Sequence, residues 1–142
     1  MSKKITEEQV RQGVQRFWDL LLTKSGDQLA EYYSGHSNMF MMRSTRNEPG
    51  RLGSAFRARE YFHPSCQMSL DLGPIEVTLL GDKAAVASHT FRFEATNRSA
   101  PAGKDGVTTE VIQNGRATHV FVLGADGKLS IVHEHVSAAV GA

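Results

Sequence analysis

The stretch "THVFVLGADGKLSIVHEHVS", residues 118–137, decides how this chain folds. Two runs of alternating apolar residues flank Ala125-Asp126-Gly127, which reads as a three-residue hairpin turn. Gly127 is the one residue there that takes a positive φ without strain. Such a turn sets Gly124 opposite Lys128, Leu123 opposite Leu129, Phe121 opposite Ile131 and His119 opposite His133. One face then carries His119, Phe121, Leu123, Leu129, Ile131, His133 and His135, an apolar wall with imidazoles at one end. The other carries Thr118, Val120, Val122, Ser130, Val132, Glu134 and Val136, and it too needs a cover. A two-residue turn at Asp126-Gly127 would instead shift the pairing by one and set Glu134 beside His119. The three-residue turn has the better chemistry, so His133 is expected to point inward and Glu134 outward.

Upstream of this hairpin the chain divides into helices first and strands afterwards. Thr6 and Gln9 in "ITEEQV" form a capping box, with Ile5 and Val10 as the staple. Val10, Val14, Phe17, Trp18 and Leu21 follow on one helical face. "QLAEYYS" (28–34) reads as a short second helix and "NMFMMR" (38–43) as a strand. "RNEPGRLG" (46–53) is a loop, and "SAFRAREYFH" (54–63) a third helix stopped by Pro64. After Pro64 come a strand at 66–72 and a hairpin over 74–96 turning at Gly81-Asp82. A polar excursion at 97–106 leads to the closing hairpin over 107–138. This order predicts a single α+β domain over 1–142, with three N-terminal helices packed on a curved, mainly antiparallel sheet. Closing the sheet towards the helices makes a cone-shaped barrel with a pocket at its open end.

The bulk properties narrow the function classes. A net charge of +1 without a basic run argues against nucleic acid, and no apolar run is long enough to span a membrane. The amino-terminal residues show no signal-peptide pattern. A lone cysteine, Cys66, excludes an internal disulfide and a Cys-based zinc site, and makes a reducing cytoplasm the expected compartment.

The hairpin motif resembles one known family. "THVFVLGADGKLSIVHEHVS" is similar to the Thr-Arg-Val-Trp…Asp-Gly-Lys-Trp…Val-His-x-His-x-Ser pattern of the calcium/calmodulin-dependent protein kinase II association domain. "SGDQLAEYYS", "EYF" and "GDKAAVAS" support the match. The chain is thereby identified with the SnoaL-like branch of the nuclear transport factor 2-like superfamily, over about residues 6–138. The resemblance implies a cystatin-like roll. It leaves function open among isomerases, dehydratases, cyclases and assembly modules. It also implies a pocket that holds small carboxylates on basic residues. Those positions fall here on Arg57, Phe91, His119 and Val136, so most of the charge is missing. Arg43, Arg92 and Arg116 could replace it, or serve as solvated or interface charges.

Three readings follow. The first is a small-molecule-binding domain, its pocket lined by Trp18, Tyr32, Phe40, Arg57, His89, Phe91, His119, Phe121, His133 and His135. Core packing is the competing reading for Trp18 and Phe40, and structural hydrogen bonding the competing one for the histidines. The second is an isomerase, dehydratase or cyclase with His119 or His133 as general base and Tyr32 or Tyr33 as donor. The third is an oligomerisation module. No carboxylate or thiol is placed by the sequence to complete a metal site around His133 and His135, so neither metal nor cofactor is expected. The expected partners are a second copy of the chain, as a homodimer or higher oligomer, and a small apolar or acidic ligand.

Overall fold

A computed structural model describes residues 3–40, 47–49, 65–97 and 108–138. For 34–40, 47–49, 97, 108–110 and 138 it gives the course of the backbone alone. The helix expected at 54–63, its stop at Pro64, and Arg43 and Arg57 lie outside the described residues.

Helix α1 spans Glu7–Leu22, and the Gln9 amide donates to Thr6 Oγ1 at 3.1 Å, as the capping signal requires. Ile5 and Val10 are buried at its start. Its inner face buries Val10, Val14, Phe17, Trp18 and Leu21, the residues that share the 3.6-residue period. Helix α2, Gly26–Tyr32, starts and ends two residues earlier than the sequence suggests, and the chain enters strand β1 (Tyr33–Phe40) with no intervening loop. Ser34 and Gly35 are weak helix formers, and pairing of Tyr33 with Ile131 satisfies the backbone that another helical turn would have used. The strand expected to begin at 38 therefore begins at Tyr33. Within the expected loop, Asn47–Pro49 form a short strand, β2, against β1.

The remaining strands are β3 (Cys66–Leu72), β4 (Glu76–Leu79), β5 (Ala84–Asn97), β6 (Thr108–Leu123) and β7 (Leu129–Ala138). The sheet order is β2-β1-β7-β6-β5-β3, with β4 also on β5. All pairs are antiparallel except β1 with β7. The sheet is curved and unclosed, with both described helices supplying the apolar side that covers it. Phe121, Leu123, Ile131, Ala85 and Ala87 meet Val10, Val14, Phe17 and Trp18 in one core. Small residues at 85 and 87 let α1 lie close to β5.

Candidate functional site: a buried imidazole row

At the turn, hairpin β6–β7 has the expected geometry. Gly127 has φ +80°, the Gly124 amide donates to the Lys128 carbonyl at 2.9 Å, and Leu123 pairs with Leu129. Phe121 pairs with Ile131, also as expected. One step further the register breaks. Val120 pairs with His133, so Val132 is an extra residue in β7, a β-bulge. Beyond it His119 pairs with Glu134.

That single residue inverts the faces expected for the end of the chain. Glu134 and Val136 turn towards the core, whereas His133 is half-buried and His135 exposed on the outer side. The inward placement of His133 and His135, and the outward placement of Glu134, are corrected accordingly. The physical reason is the bulge: alternation has period two, so one inserted residue moves every later side chain to the other face. His119 and His133 do not meet across the interior.

In their place a row of polar side chains crosses the inner face of the sheet. Tyr33 (β1), Glu134 (β7), His119 (β6) and His89 (β5) stand on four neighbouring strands, with Trp18 of α1 at the end, and all five are buried. Tyr33 Oη donates to Glu134 Oε1 at 2.9 Å. Glu134 Oε2 lies 2.9 Å from His119 Nδ1. His119 Nε2 lies 3.3 Å from His89 Nε2, and Trp18 Nε1 donates to that same His89 nitrogen at 3.1 Å. The two imidazoles are inclined by 20° with centroids 5.4 Å apart. Nitrogen therefore meets nitrogen edge to edge, and the ring faces do not stack.

Donor and acceptor roles along the row follow from its ends. His89 Nδ1 sits 3.0 Å from the Thr90 carbonyl, which only accepts, so Nδ1 carries the proton. Indole Nε1 only donates, so His89 Nε2 is a lone pair and the ring is neutral. Burial favours that state and holds the His89 imidazole below its ordinary 6.5, against the raising effect of the Thr90 carbonyl; His119 lowers it further and Glu134 raises it. His119 Nε2 must then bear a proton to be attracted to His89. One more proton lies between His119 Nδ1 and Glu134 Oε2, whichever atom carries it. The pair holds no net charge, which is how a carboxylate can be buried here at tolerable cost. Burial, with the Glu134 charge and hydrogen bond adding to it, pushes the Tyr33 hydroxyl well above the usual 10, so it stays a donor.

The row separates two kinds of packing. On the turn side Phe121, Leu123 and Ile131 fill the space beneath α1. On the other side the inward residues are Phe91, Phe93, Ala95, Ile112, Ala117 and Val136. Phe91 lies against Trp18, centroids 5.0 Å apart, and its ring occupies the place a Cβ would take at Gly115.

Of the residues singled out by sequence, Trp18, Tyr33, His89 and His119 come together in the row, with Phe91 and Phe121 beside them. Tyr32 stands apart: its hydroxyl donates to the Gly13 carbonyl at 2.9 Å, and burial, opposed by Arg16, raises it to about 12. The backbone of Phe40 pairs with His135, and its side chain lies outside the described residues. Glu134 is the group that sequence reasoning turned outward; the alternative of a two-residue turn would have set it beside His119, and the structure reaches that pairing through the bulge instead. One signal was present: plain alternation put a carboxylate among Val120, Val122, Val132 and Val136 on an apolar face. The row is a line rather than a cage, and among the described residues no three His, Cys, Asp or Glu side chains are placed to hold a metal ion.

No family model matches this chain, and no curated protein matches it in sequence. Solved structures do. A protein from Xanthomonas campestris described as a calcium/calmodulin-dependent protein kinase II association domain is 18% identical, with 99% of this chain and 97% of that chain covered at TM-score 0.73. A protein from Streptomyces avermitilis described as a dehydratase of the nuclear transport factor 2-like family is 16% identical, with 94% and 96% covered at TM-score 0.74. A nuclear transport factor 2-like protein with a cystatin-like fold from Novosphingobium aromaticivorans is 17% identical, with 95% and 82% covered at TM-score 0.67. At such identities the likeness is one of architecture, and the chain has the nuclear transport factor 2-like, cystatin-like fold.

Proposed function

We propose that this chain binds a small molecule against the far side of the imidazole row and moves a proton on it, in the manner of an isomerase or dehydratase. The observation that carries this reading is the Glu134–His119–His89 line, a carboxylate and two imidazoles within 3.3 Å contacts in an apolar interior. Hydrophobic residues would fill that space at lower cost, so polar, proton-carrying groups gathered there point to chemistry. Substrate entering between the two imidazoles draws the His119 Nε2–H away from His89, and the freed His89 Nε2 lone pair then takes a proton from an acidic C–H. His119 Nε2–H is the acid that returns one elsewhere on the substrate. Glu134 steadies the His119 ring through Nδ1, Tyr33 fixes the second carboxylate oxygen, and Trp18 aims His89. After one turnover His89 holds a proton and His119 lacks one, and transfer across their 3.3 Å contact resets the pair. A solved structure of the same fold is described as a dehydratase, which agrees with this chemistry.

The test is hydrogen–deuterium exchange in D2O, followed by proton NMR, across a panel of small ketones and acids. The reading expects at least one compound to exchange its acidic C–H faster with the protein present. Glu134→Gln should slow that exchange by roughly 10²-fold or more. If no compound binds or exchanges, proton transfer is the wrong reading.

We further propose that the chain works as a homodimer in the cytoplasm. Val86, Val120, Val122 and Val132 lie half-exposed on the outer side of the sheet, an apolar patch suited to an isologous contact. Among the described residues no helix is long and apolar enough to cross a membrane. Light scattering should give twice the chain mass, and Val120→Glu should halve it; a monomeric unmodified protein would remove the proposal.

A further inference from the structure

A hollow opens on the opposite side of the sheet from the imidazole row. Its volume is about 390 Å³, within the range of small-molecule sites. Two irregularities shape it. Strand β3 leaves β5 at Gly73, whose amide donates to the Thr90 carbonyl at 2.9 Å. On the other side β6 bulges, since Phe91 pairs with Gly115 but Phe93 with Ile112, leaving Gln113 and Asn114 against Arg92. The departing strand and the bulge form opposite walls, with Thr90 and Arg92 between them.

The charges on those walls differ in sign. Asp71, on β3, is exposed on one side, and Arg116, on β6, is exposed on the other. Two strand spacings separate them, on the order of 10 Å. Arg92 stands between, but it is already engaged by Glu94 at 3.2 Å. Arg116 makes no ion pair among the described residues. A plain anion would meet Asp71 as well as Arg116, and a plain cation the reverse. A molecule carrying both charges satisfies both walls.

We infer that this hollow binds a small zwitterion of the amino-acid kind, its carboxylate on Arg116 and its ammonium group on Asp71. The guanidinium fork suits a carboxylate, and the Gln113 and Asn114 amides supply further polar contacts. The site is separate from the proton-transfer row, and it lies towards the bulged end of β6, away from the valine patch around Val120 and Val122.

The experiment is amide NMR titration of the whole chain with L-glutamine, with gluconate as the anion alone and ethanolamine as the cation alone. Glutamine should shift the amides of Gly73, Asn114 and Arg116 and bind more tightly than either single-charge probe. Arg116→Gln and Asp71→Asn are exposed changes that leave the core intact, and each should weaken glutamine roughly tenfold. Tighter binding of gluconate than glutamine overturns the assignment of charge. Shifts at His119 and Glu134 instead, no shifts at all, or affinity unchanged in both variants overturn the site.

Discussion

The two ends of hairpin β6–β7 obey different rules. At the turn end, pairing from Gly124 with Lys128 to Phe121 with Ile131 follows from local chemistry, because one glycine at positive φ selects the loop and the loop selects the register. At the far end the register follows from what the interior must hold. Val132 is squeezed out of the ladder, Glu134 swings in, and its two oxygens find His119 and Tyr33. The cost is one broken step in the ladder and a buried carboxylate. The first end shows how a strand pair is aligned, and the second how that alignment is given up to place one side chain.

The largest effect should come from removing what the bulge delivers. Glu134→Ala leaves the His119 Nδ1 position and the Tyr33 hydroxyl facing an empty apolar space, and should lower stability by about 3–5 kcal/mol in urea unfolding. Glu134→Gln keeps an acceptor for Tyr33 and should lose less. A loss below about 1 kcal/mol for the alanine variant would mean that the carboxylate is not held between these partners.

A middle-sized effect should appear with pH. Burial keeps His89 neutral in the folded chain, with its imidazole below 6.5, while the unfolded chain titrates at about that ordinary value. As pH falls below 6.5 the unfolded state takes up a proton that the folded state refuses, so this part of the stability is present above 6.5 and drains away on acidification. The loss levels off once pH passes the folded value. Chemical unfolding at a series of pH values should show this slope, and His89→Phe should flatten it. An unchanged slope in that variant would assign the acid sensitivity to another group.

The smallest effect belongs to the turn end. Asp126 Oδ1 accepts from the Lys128 amide at 3.0 Å in an exposed loop, so Asp126→Ala should lose no more than about 1 kcal/mol. Cross-strand pairing should be unchanged, since Gly127 and the loop length still set it. A register shift in that variant would make the turn less dominant than the comparison holds.

Legibility in the sequence tracks the same division. The Thr6 cap, the face of α1, strand β3 and the Ala125–Gly127 turn rest on near neighbours, and each was readable from a few residues. The start of β1 at Tyr33 was not, because its pairing partner Ile131 lies far along the chain. Trp18, His89 and His119 could be named as candidates because aromatic and imidazole side chains at inward positions are conspicuous. Their union with Glu134 could not. It depends on an extra residue in β7, and "SIVHEHVS" carries no glycine or proline to announce a bulge. The compensation is tertiary, with Tyr33 and His119 supplied by other strands.

The most direct measurement is therefore the register beyond Ile131, read from cross-strand nuclear Overhauser contacts in the labelled protein. The account predicts contacts pairing His119 with Glu134 and Val120 with His133, together with ring contacts from His119 to the Glu134 side chain. Contacts pairing His119 with His133 would mean an unbroken ladder with Glu134 on the outside, and would contradict the buried row on which the proposed chemistry rests.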